Sequence, residues 1–467
     1  MMIRLTTLVL ATVLSLSGQA APASEGRWKA DWAVLNQHEV PDWILDAKLG
    51  VQYVGPRLEL DDSQMYHWQR AGQRHRLLGN PPRDAHLETW MHAFQRRGVV
   101  GVGYVWPQKP FEDLEGIMAA YKEIGAKFLV SMLWGAYPGT EGFLMNDEEV
   151  REARRAGLRV GLHYNLIRRD GLPMFGDAGY VDWAHDRLRQ SIQQVSSDFV
   201  FFDGDQFAPS DYLRTADFLA WFYNWADRNG KAVWVNDDLG YDRKETGEYG
   251  DLVDHEGFTV EGVSPKPWIN WDILRNEWTC WVNEFGVHKL NGKKWVWEYK
   301  KPEDLLLVFI DVVSKGGVWI VQMDNTKTAW ENMSEIGAWL KVNGEAIYGT
   351  RPYGKPEARM IRLPEERRPQ DNSSPWMWRF LECVRIARER GPLYLTRKGQ
   401  TLYAIHWGWP GESLTIPSVK PPRGAAIRML GVEQDLAWHQ AWDGIVVQTP
   451  KTPPCKHAYA LRIPLAP

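Results

Sequence analysis

The chain has 467 residues, with 44% hydrophobic and 24% charged side chains and a formal net charge of −4. This length fits a barrel-sized domain followed by a smaller one, and the composition excludes a disordered chain. The slightly acidic balance argues against a surface that binds nucleic acid. The 26 tryptophans are numerous enough to stack on sugar rings as well as to pack the core.

The N-terminus has the pattern of an export signal. Arg4 precedes an apolar run from Leu5 to Leu16, and small residues at Ala20 and Ala23 offer cleavage sites. No later stretch approaches the ~20 apolar residues that span a membrane. We therefore predict a protein that is exported, to the periplasm or outside the cell, without a membrane span.

Cysteine usage gives little sign of a metal site. The three cysteines are Cys280, Cys383 and Cys455, and an odd number leaves at least one thiol free. The sequence leaves open whether Cys383 and Cys455 pair. No CxxC, HExxH or clustered-histidine spacing occurs, so we predict no metal and no cofactor.

Apolar strands alternate with amphipathic helices between about residues 45 and 345. Strands are predicted at Leu49–Val54, Val99–Val105, Lys127–Leu133, Leu158–Tyr164, Phe199–Phe202, Ala232–Val235, Trp278–Val282 and Val318–Val321. Helices are predicted at Asp84–Arg97, Glu112–Ile124, Asp147–Ala156, Asp211–Asn229, Pro302–Lys315 and Ala329–Asn343. This alternation predicts an α/β fold, a (β/α)₈ TIM-like barrel, with an open doubly wound sheet as the competing arrangement.

The pattern changes after residue 350. The stretch 351–375 is rich in proline, arginine and glutamate and is predicted to be a linker or long loop. Closely spaced strands then indicate an antiparallel β-sandwich, at Thr401–Trp407, Ser413–Ile416, Ala425–Leu430, Gly444–Gln448 and Ala458–Ile463. The predicted domains are a signal peptide (1–23), a catalytic barrel (27–350), a linker (351–375) and a C-terminal sandwich (376–467).

The strand Phe199–Phe202 leads to the first candidate for chemistry. Its apolar run is unbroken and ends abruptly at Asp203, Gly204 and Asp205. Such a run is typical of a strand buried on both faces, and the carboxyl end of a barrel strand opens onto the active-site face. Asp203 is therefore a candidate catalyst, and the alternative is a cap for the next helix.

An acid at a barrel strand end, an export signal and many tryptophans point to glycoside hydrolysis, which uses two carboxyl groups. No GxSxG elbow or phosphate-binding loop supports another chemistry.

Several segments resemble glycoside hydrolase family 29, the exo-acting retaining α-L-fucosidases. Phe201-Phe-Asp-Gly204 is similar to the family's W-x-D-G, and Gly250-Asp-Leu-Val-Asp-His-Glu256 is similar to its G-D-Y-x-T-x-E. Val235-Asn-Asp237 is similar to its V-N-D-R, with Asp238 in place of arginine. The longest match, from Ile336 to Tyr348, is similar to I-G-x-W-L-x-x-N-G-E-A-I-Y.

The resemblance implies roles for two carboxyl groups. Asp203 would be the nucleophile and Glu256 the general acid/base, with Glu248 as the reserve choice. It also implies a barrel followed by a sandwich, and an oligosaccharide or polysaccharide as substrate.

Two segments depart from the family pattern. The segment Lys48–Pro56, which contains the first predicted strand, lacks the family's His-Trp pair, and Trp134–Phe143 lacks its His-His pair. These histidines contact sugar hydroxyls in the family. Residues predicted to contact the substrate here are Trp134, Tyr137, Glu141, His163, Asn236 and Tyr53. Loop or structural roles are the alternatives for these residues.

Two functional hypotheses result. The first is an exported retaining α-L-fucosidase, or a related α-L-glycosidase such as an α-L-galactosidase. The alternative is a carbohydrate-binding protein with a decayed glycosidase site, which the missing histidines motivate.

Overall fold

The computed structural model describes residues 26–53, 113–133, 147–165, 179–203, 208–243, 248–275, 289–290, 293–294, 299–323, 326–356 and 375–466. The described helices are α1 Trp32–Leu35, α2 Asp42–Ala47, α3 Leu114–Glu123, α4 Asp147–Arg155, α5 Tyr180–Val195, α6 Ser210–Leu213, α7 Thr215–Arg228, α8 Pro302–Ser314, α9 Lys327–Asn343 and α10 Pro375–Glu389, with a 3₁₀ turn at Gly344–Ala346. None of these helices is both long and apolar enough to cross a membrane.

The described strands fall into a parallel sheet and several antiparallel ones. They are β1 Leu49–Tyr53, β2 Phe128–Leu133, β3 Arg159–Asn165, β4 Phe199–Asp203, β5 Trp234–Val235, β6 Val253–Asp254, β7 Trp268–Ile273, β8 Lys289–Leu290, β9 Lys293–Lys294, β10 Gly317–Met323, β11 Arg351–Pro352, β12 Leu393–Lys398, β13 Thr401–Trp407, β14 Ser413–Ile416, β15 Arg428–Met429, β16 Trp438–Ala441, β17 Gly444–Gln448 and β18 Ala458–Pro464. β8 and β9 form a separate short hairpin.

Eight parallel strands form one curled sheet in the order β5-β4-β3-β2-β1-β10-β7-β6. A parallel bridge between Asn236 and Leu252 connects the two edge strands, β5 and β6. The sheet therefore closes into a ring, as in a TIM-like barrel. The predicted barrel followed by a β-sandwich is confirmed, and the open doubly wound sheet is not found.

The set of strands differs from the predicted one. The predicted segments Val99–Val105, Trp278–Val282 and Asp84–Arg97 lie outside the described residues. β7, which we did not predict, is a continuous, fully buried strand whose apolar sequence is interrupted by Asn270 and Asp272. The Asn270 Nδ2 donates to the Phe258 carbonyl oxygen at 2.6 Å, and the Asp272 carboxylate pairs with the buried Lys300 ammonium. The Asp272 charge and the Asn270 amide nitrogen thus find partners in the interior, which sequence periodicity alone does not reveal.

Aromatic rings fill the N-terminal half of the barrel interior. Phe199 stacks on Trp234 with ring centroids 4.5 Å apart and meets Phe128 edge-on at 5.6 Å. Two glycines, each on a strand next to the one that carries the ring it faces, make room for these rings. A Cβ atom at Gly50 would lie 2.2 Å from the Phe128 ring, and one at Gly161 would lie 2.3 Å from the Phe199 ring. The floor is therefore closed by packing, and the opposite end of the barrel is left for a site.

Substituting Gly161 by alanine is expected to lower the free energy of unfolding by about 1–3 kcal/mol, because the new methyl group overlaps the Phe199 ring. In the F199A background, where the ring is absent, the same substitution should cost clearly less. Urea unfolding of the four proteins in this cycle measures the coupling between the two positions. Equal costs in both backgrounds would contradict this packing.

The helices also differ in part from prediction. The predicted helix Asp211–Asn229 is two helices, α6 and α7, separated at Arg214, whose φ of 48° is left-handed. α5 was not predicted, although its buried residues recur at helical spacing, at Val181, Ala184, Leu188, Ile192 and Val195.

The C-terminal sandwich packs a five-stranded sheet, β11-β12-β13-β18-β15, against a three-stranded sheet, β14-β17-β16. β11 lies within the stretch predicted to be a linker, and α10 occupies the start of the stretch predicted to be sandwich. Cys383 and Cys455, whose pairing the sequence left open, are both free thiols.

The segment Ile336–Tyr348 forms the junction between barrel and sandwich. The Trp339 Nε1 donates to the Ala458 carbonyl oxygen at 2.7 Å, and the Glu345 carboxylate accepts from the Tyr403 hydroxyl at 2.7 Å. The longest family-like motif of the chain therefore has a structural role.

Candidate active site

Asp203 ends β4 on the inner face of the barrel. Phe199 and Phe201 belong to the interior cluster, and Asp203 follows at the same alternation. Its side chain is 22% exposed, whereas the strand before it is buried. The carboxylate thus lies at the open end of a rigid strand, which is where the sequence predicted it.

His163 lies beside Asp203 on the neighbouring strand β3. The imidazole Nε2 is 3.5 Å from the Asp203 Oδ2, and the ring packs on Phe201 with centroids 5.4 Å apart. His163 is 6% exposed. This predicted substrate contact is therefore an immediate neighbour of the candidate nucleophile.

Glu256 follows the end of β6 and belongs to a cluster of three acidic side chains. Carboxylate oxygens of Glu256, Asp238 and Asp254 all lie within 4.8 Å of one another. Asp238 and Asp254 are buried, and Glu256 is half-buried. Carboxyl groups this close interact electrostatically with one another. Acidic clusters are common without a metal ion, and we assign no ion to this one.

Glu248, the reserve choice for the acid/base, lies before β6, whereas Glu256 lies after it. Glu248 is exposed and occupies the segment that leads into β6. The next two residues of this segment are fixed by hydrogen bonds. The Lys266 ammonium donates to the carbonyl oxygens of Tyr249 at 3.2 Å and Gly250 at 2.9 Å. Glu256 follows the carboxyl end of β6, whereas Glu248 precedes the start of that strand.

The loop that carries Glu256 is anchored on its far side. The Gly257 amide donates to the Trp271 carbonyl oxygen of β7 at 2.9 Å. The Cys383 thiol of α10 donates to the Gly257 carbonyl oxygen at 3.4 Å. Burial raises the pKa of this thiol, which makes Cys383 an inert packing residue.

A buried ion pair supports β7 from the outside of the barrel. Burial raises the pKa of Asp272 and lowers the pKa of Lys300, and the attraction between the two groups opposes both shifts. Removing one partner would leave the other charge buried and unpaired. The pair therefore fixes β7, to which the Glu256 loop is bonded.

The end of β5 carries Asn236, another predicted substrate contact. It is fully buried, and both ends of its amide bond to the main chain of Phe202. These bonds give Asn236 a structural role next to Asp203, and contact with substrate stays a prediction.

The remaining predicted site residues are not tested. Trp134, Tyr137 and Glu141 lie outside the described residues, as do Gly204 and Asp205. Tyr53 ends β1, but its side chain is outside the described part of the chain.

Some polar residues of the interior were missed. Gln52 of β1 and Gln322 of β10 are register partners and are both buried, and the Gln52 Oε1 accepts from the Trp271 indole. A glutamine within an otherwise apolar barrel strand was the available sequence signal. Asp238 and Asp254 were also missed, because their proximity to Glu256 arises only from the fold.

Family models match most of the described architecture. The model for alpha-L-fucosidase matches residues 145–345, and the model for the alpha-L-fucosidase C-terminal domain matches residues 389–464. Together they cover more than half of the chain. The chain belongs to the α-L-fucosidase family of glycoside hydrolases. The first match includes Asp203 and Glu256, and the second covers the sandwich.

Related fucosidases match over nearly the whole chain. The tissue alpha-L-fucosidase of Mus musculus is 23% identical, over 93% of this chain and 93% of its own length. The plasma alpha-L-fucosidase of Homo sapiens is 24% identical, over 94% and 93%. The solved alpha-fucosidase of Thermotoga maritima has a TM-score of 0.58 at 17% identity, covering 94% of this chain and all of that chain.

A Bacteroides thetaiotaomicron GH29 alpha-L-fucosidase, solved as a trapped covalent intermediate, has a TM-score of 0.56 at 15% identity and covers 94% of this chain and 97% of that chain. At these identities the structural likeness establishes the shared fold of this fucosidase-family chain. Its sequence departs from the family pattern at Asp238, which replaces an arginine, and in the segment Trp134–Phe143, which lacks a pair of histidines.

Proposed function

We propose that this chain is an exported, exo-acting retaining glycosidase, an α-L-fucosidase or a close relative such as an α-L-galactosidase. The observation that carries the proposal is the position of Asp203, the acid at the open end of β4 within the family match. Glu256, at the end of β6, supplies the second carboxyl group that glycoside hydrolysis needs.

The proposed reaction has two steps. The Asp203 carboxylate attacks the anomeric carbon while the glycosidic C–O bond breaks, and Glu256 donates its proton to the departing oxygen. Water then attacks the same carbon and breaks the ester to Asp203, while Glu256 accepts a proton from that water. Two inversions leave the anomeric configuration unchanged.

Two features of the site support these roles. The His163 Nε2, 3.5 Å from the Asp203 Oδ2, orients the nucleophile. Glu256 follows the carboxyl end of β6, a strand of the same parallel sheet as β4, so both candidate acids belong to the same end of the barrel. Export is proposed from the N-terminal apolar run alone, Leu5 to Leu16.

The choice of sugar is tested by comparing aryl α-L-fucoside and α-L-galactoside with aryl glycosides of other configurations. We expect turnover of an α-L-glycoside, with proton NMR detecting the α-anomer as the first product. A β-anomer as the first product would overturn the retaining mechanism. Binding of the panel without turnover would overturn the enzyme proposal and favour the carbohydrate-binding alternative.

A further inference from the structure

The end of β5 connects the strands that carry the two candidate catalytic groups. β5 pairs with β4 through Phe199–Trp234 and Val200–Val235, and the Asn236–Leu252 bridge connects it to the start of β6. Two residues follow β5 directly. The Asn236 side chain hydrogen-bonds to the main chain of β4, and the Asp237 side chain hydrogen-bonds to the main chain of β6.

Asn236 makes the connection toward the nucleophile. Its Oδ1 accepts from the Phe202 amide at 2.7 Å, and its Nδ2 donates to the Phe202 carbonyl oxygen at 2.9 Å. Phe202 immediately precedes Asp203. The two bonds fix both polar groups of the peptide unit next to the candidate nucleophile, at a site with no solvent exposure of Asn236.

Asp237 makes the connection toward the acid/base. Its Oδ1 accepts from the Asp254 amide at 2.7 Å, two residues before Glu256. Asp237 is also fully buried. Removing this acceptor would leave the amide of the buried Asp254 without this hydrogen bond, which is costly in the interior.

We propose that Asn236 and Asp237 are positioning residues that set the separation between Asp203 and Glu256. This inference rests on the proposed function, because it assigns those two residues to one retaining site. Retention requires carboxyl groups only about 5–5.5 Å apart. Displacement by about 1 Å can cost on the order of 100-fold in rate. Because Asn236 and Asp237 are adjacent at the end of β5, a shift of either bonded strand relative to β5 would change the distance between the Asp203 and Glu256 carboxyl groups.

Asp237 is tested with a pair of substitutions. D237A removes the acceptor for the Asp254 amide, whereas D237N retains an amide oxygen that can accept the same bond. We expect D237A to lower kcat/KM roughly 10- to 100-fold more for a disaccharide than for a dinitrophenyl glycoside, because only the poor leaving group depends strongly on proton donation. D237N should restore most of that selectivity.

The role of Asn236 is tested by measuring the effects of its substitution on kcat and on KM separately. N236A and the isosteric N236D are expected to lower kcat roughly 10- to 100-fold for both leaving groups, with KM changed less than about threefold. A residue that contacted substrate would raise KM instead, and that result would overturn the assignment of Asn236.

A matched control comes from the opposite end of the barrel. The Asp198 Oδ2 accepts from the Val160 amide at 3.0 Å, and the same carboxylate pairs with Arg154 and Lys231. D198A therefore breaks a bond between strands, together with these ion pairs, at the opposite end of β4 from Asp203. It should reduce stability in urea without changing the leaving-group selectivity.

The outcomes separate the two proposals. If the unsubstituted protein turns over glycosides and D237A keeps its leaving-group selectivity while folded, the positioning role is wrong and the proposed function stands. If N236A fails to fold, the D237A and D237N pair still decides the matter. A protein without any turnover overturns both proposals.

Discussion

Replacing Asp203 with alanine is expected to reduce turnover by roughly 10,000-fold or more, because the covalent step loses its nucleophile. The side chain is partly exposed at the open end of β4, so the substitution should leave the buried part of the strand and the fold intact. Comparison of kcat for D203A and the unsubstituted protein, with circular dichroism as a check on folding, measures the effect.

The control for this substitution is D217A. Asp217 is an exposed aspartate on α7, outside the barrel interior, and its loss should leave kcat unchanged within about twofold. In the smaller D203G variant, added azide should restore turnover of an activated substrate and yield a glycosyl azide of inverted configuration. Turnover by D203A within tenfold of the unsubstituted protein would remove Asp203 from the mechanism.

Replacing Glu256 with glutamine is expected to have an effect that depends on the leaving group. For a disaccharide, kcat/KM should fall roughly 100- to 10,000-fold, because no group donates a proton to the departing oxygen. For a dinitrophenyl glycoside, bond cleavage needs little protonation and the first step should be largely preserved. Steady-state kinetics on both substrates provides the comparison.

Glu248 provides the matched control for Glu256. It is exposed in the segment before β6, and E248Q should leave both substrates unaffected. A loss confined to E248Q would transfer the acid/base role to that residue. Equal loss on both substrates for E256Q would indicate a structural role for Glu256 and would contradict its assignment.

The position of Asp203 was predictable because local sequence determines it. The unbroken apolar run of β4 ends at one residue, and the family resemblance gives that residue a role. By contrast, β7 was missed because Asn270 and Asp272 interrupt its apolar pattern, and their partners Phe258 and Lys300 are distant in the chain. Hydrophobic periodicity detects strands whose buried side chains are apolar. It misses strands that carry buried polar side chains with partners elsewhere in the chain.

Family resemblance predicted membership better than it predicted chemistry. The longest motif, Ile336–Tyr348, marks the domain junction through Trp339 and Glu345. The shorter V-N-D match contains Asn236, whose bonds to the Phe202 main chain were not predicted and whose contact with substrate stays a prediction. The cluster of Glu256 with Asp238 and Asp254 joins residues from two strand ends, and no linear pattern encodes that proximity.

The central claim is that Asp203 forms a covalent bond to the sugar. The most direct test is incubation of the protein with a 2-fluoro glycosyl fluoride of the sugar that it hydrolyses, followed by proteolysis and mass spectrometry. We predict a single adduct on the peptide that contains Asp203. An adduct on another carboxyl group, or continued turnover to an inverted product without any adduct, would contradict the claim.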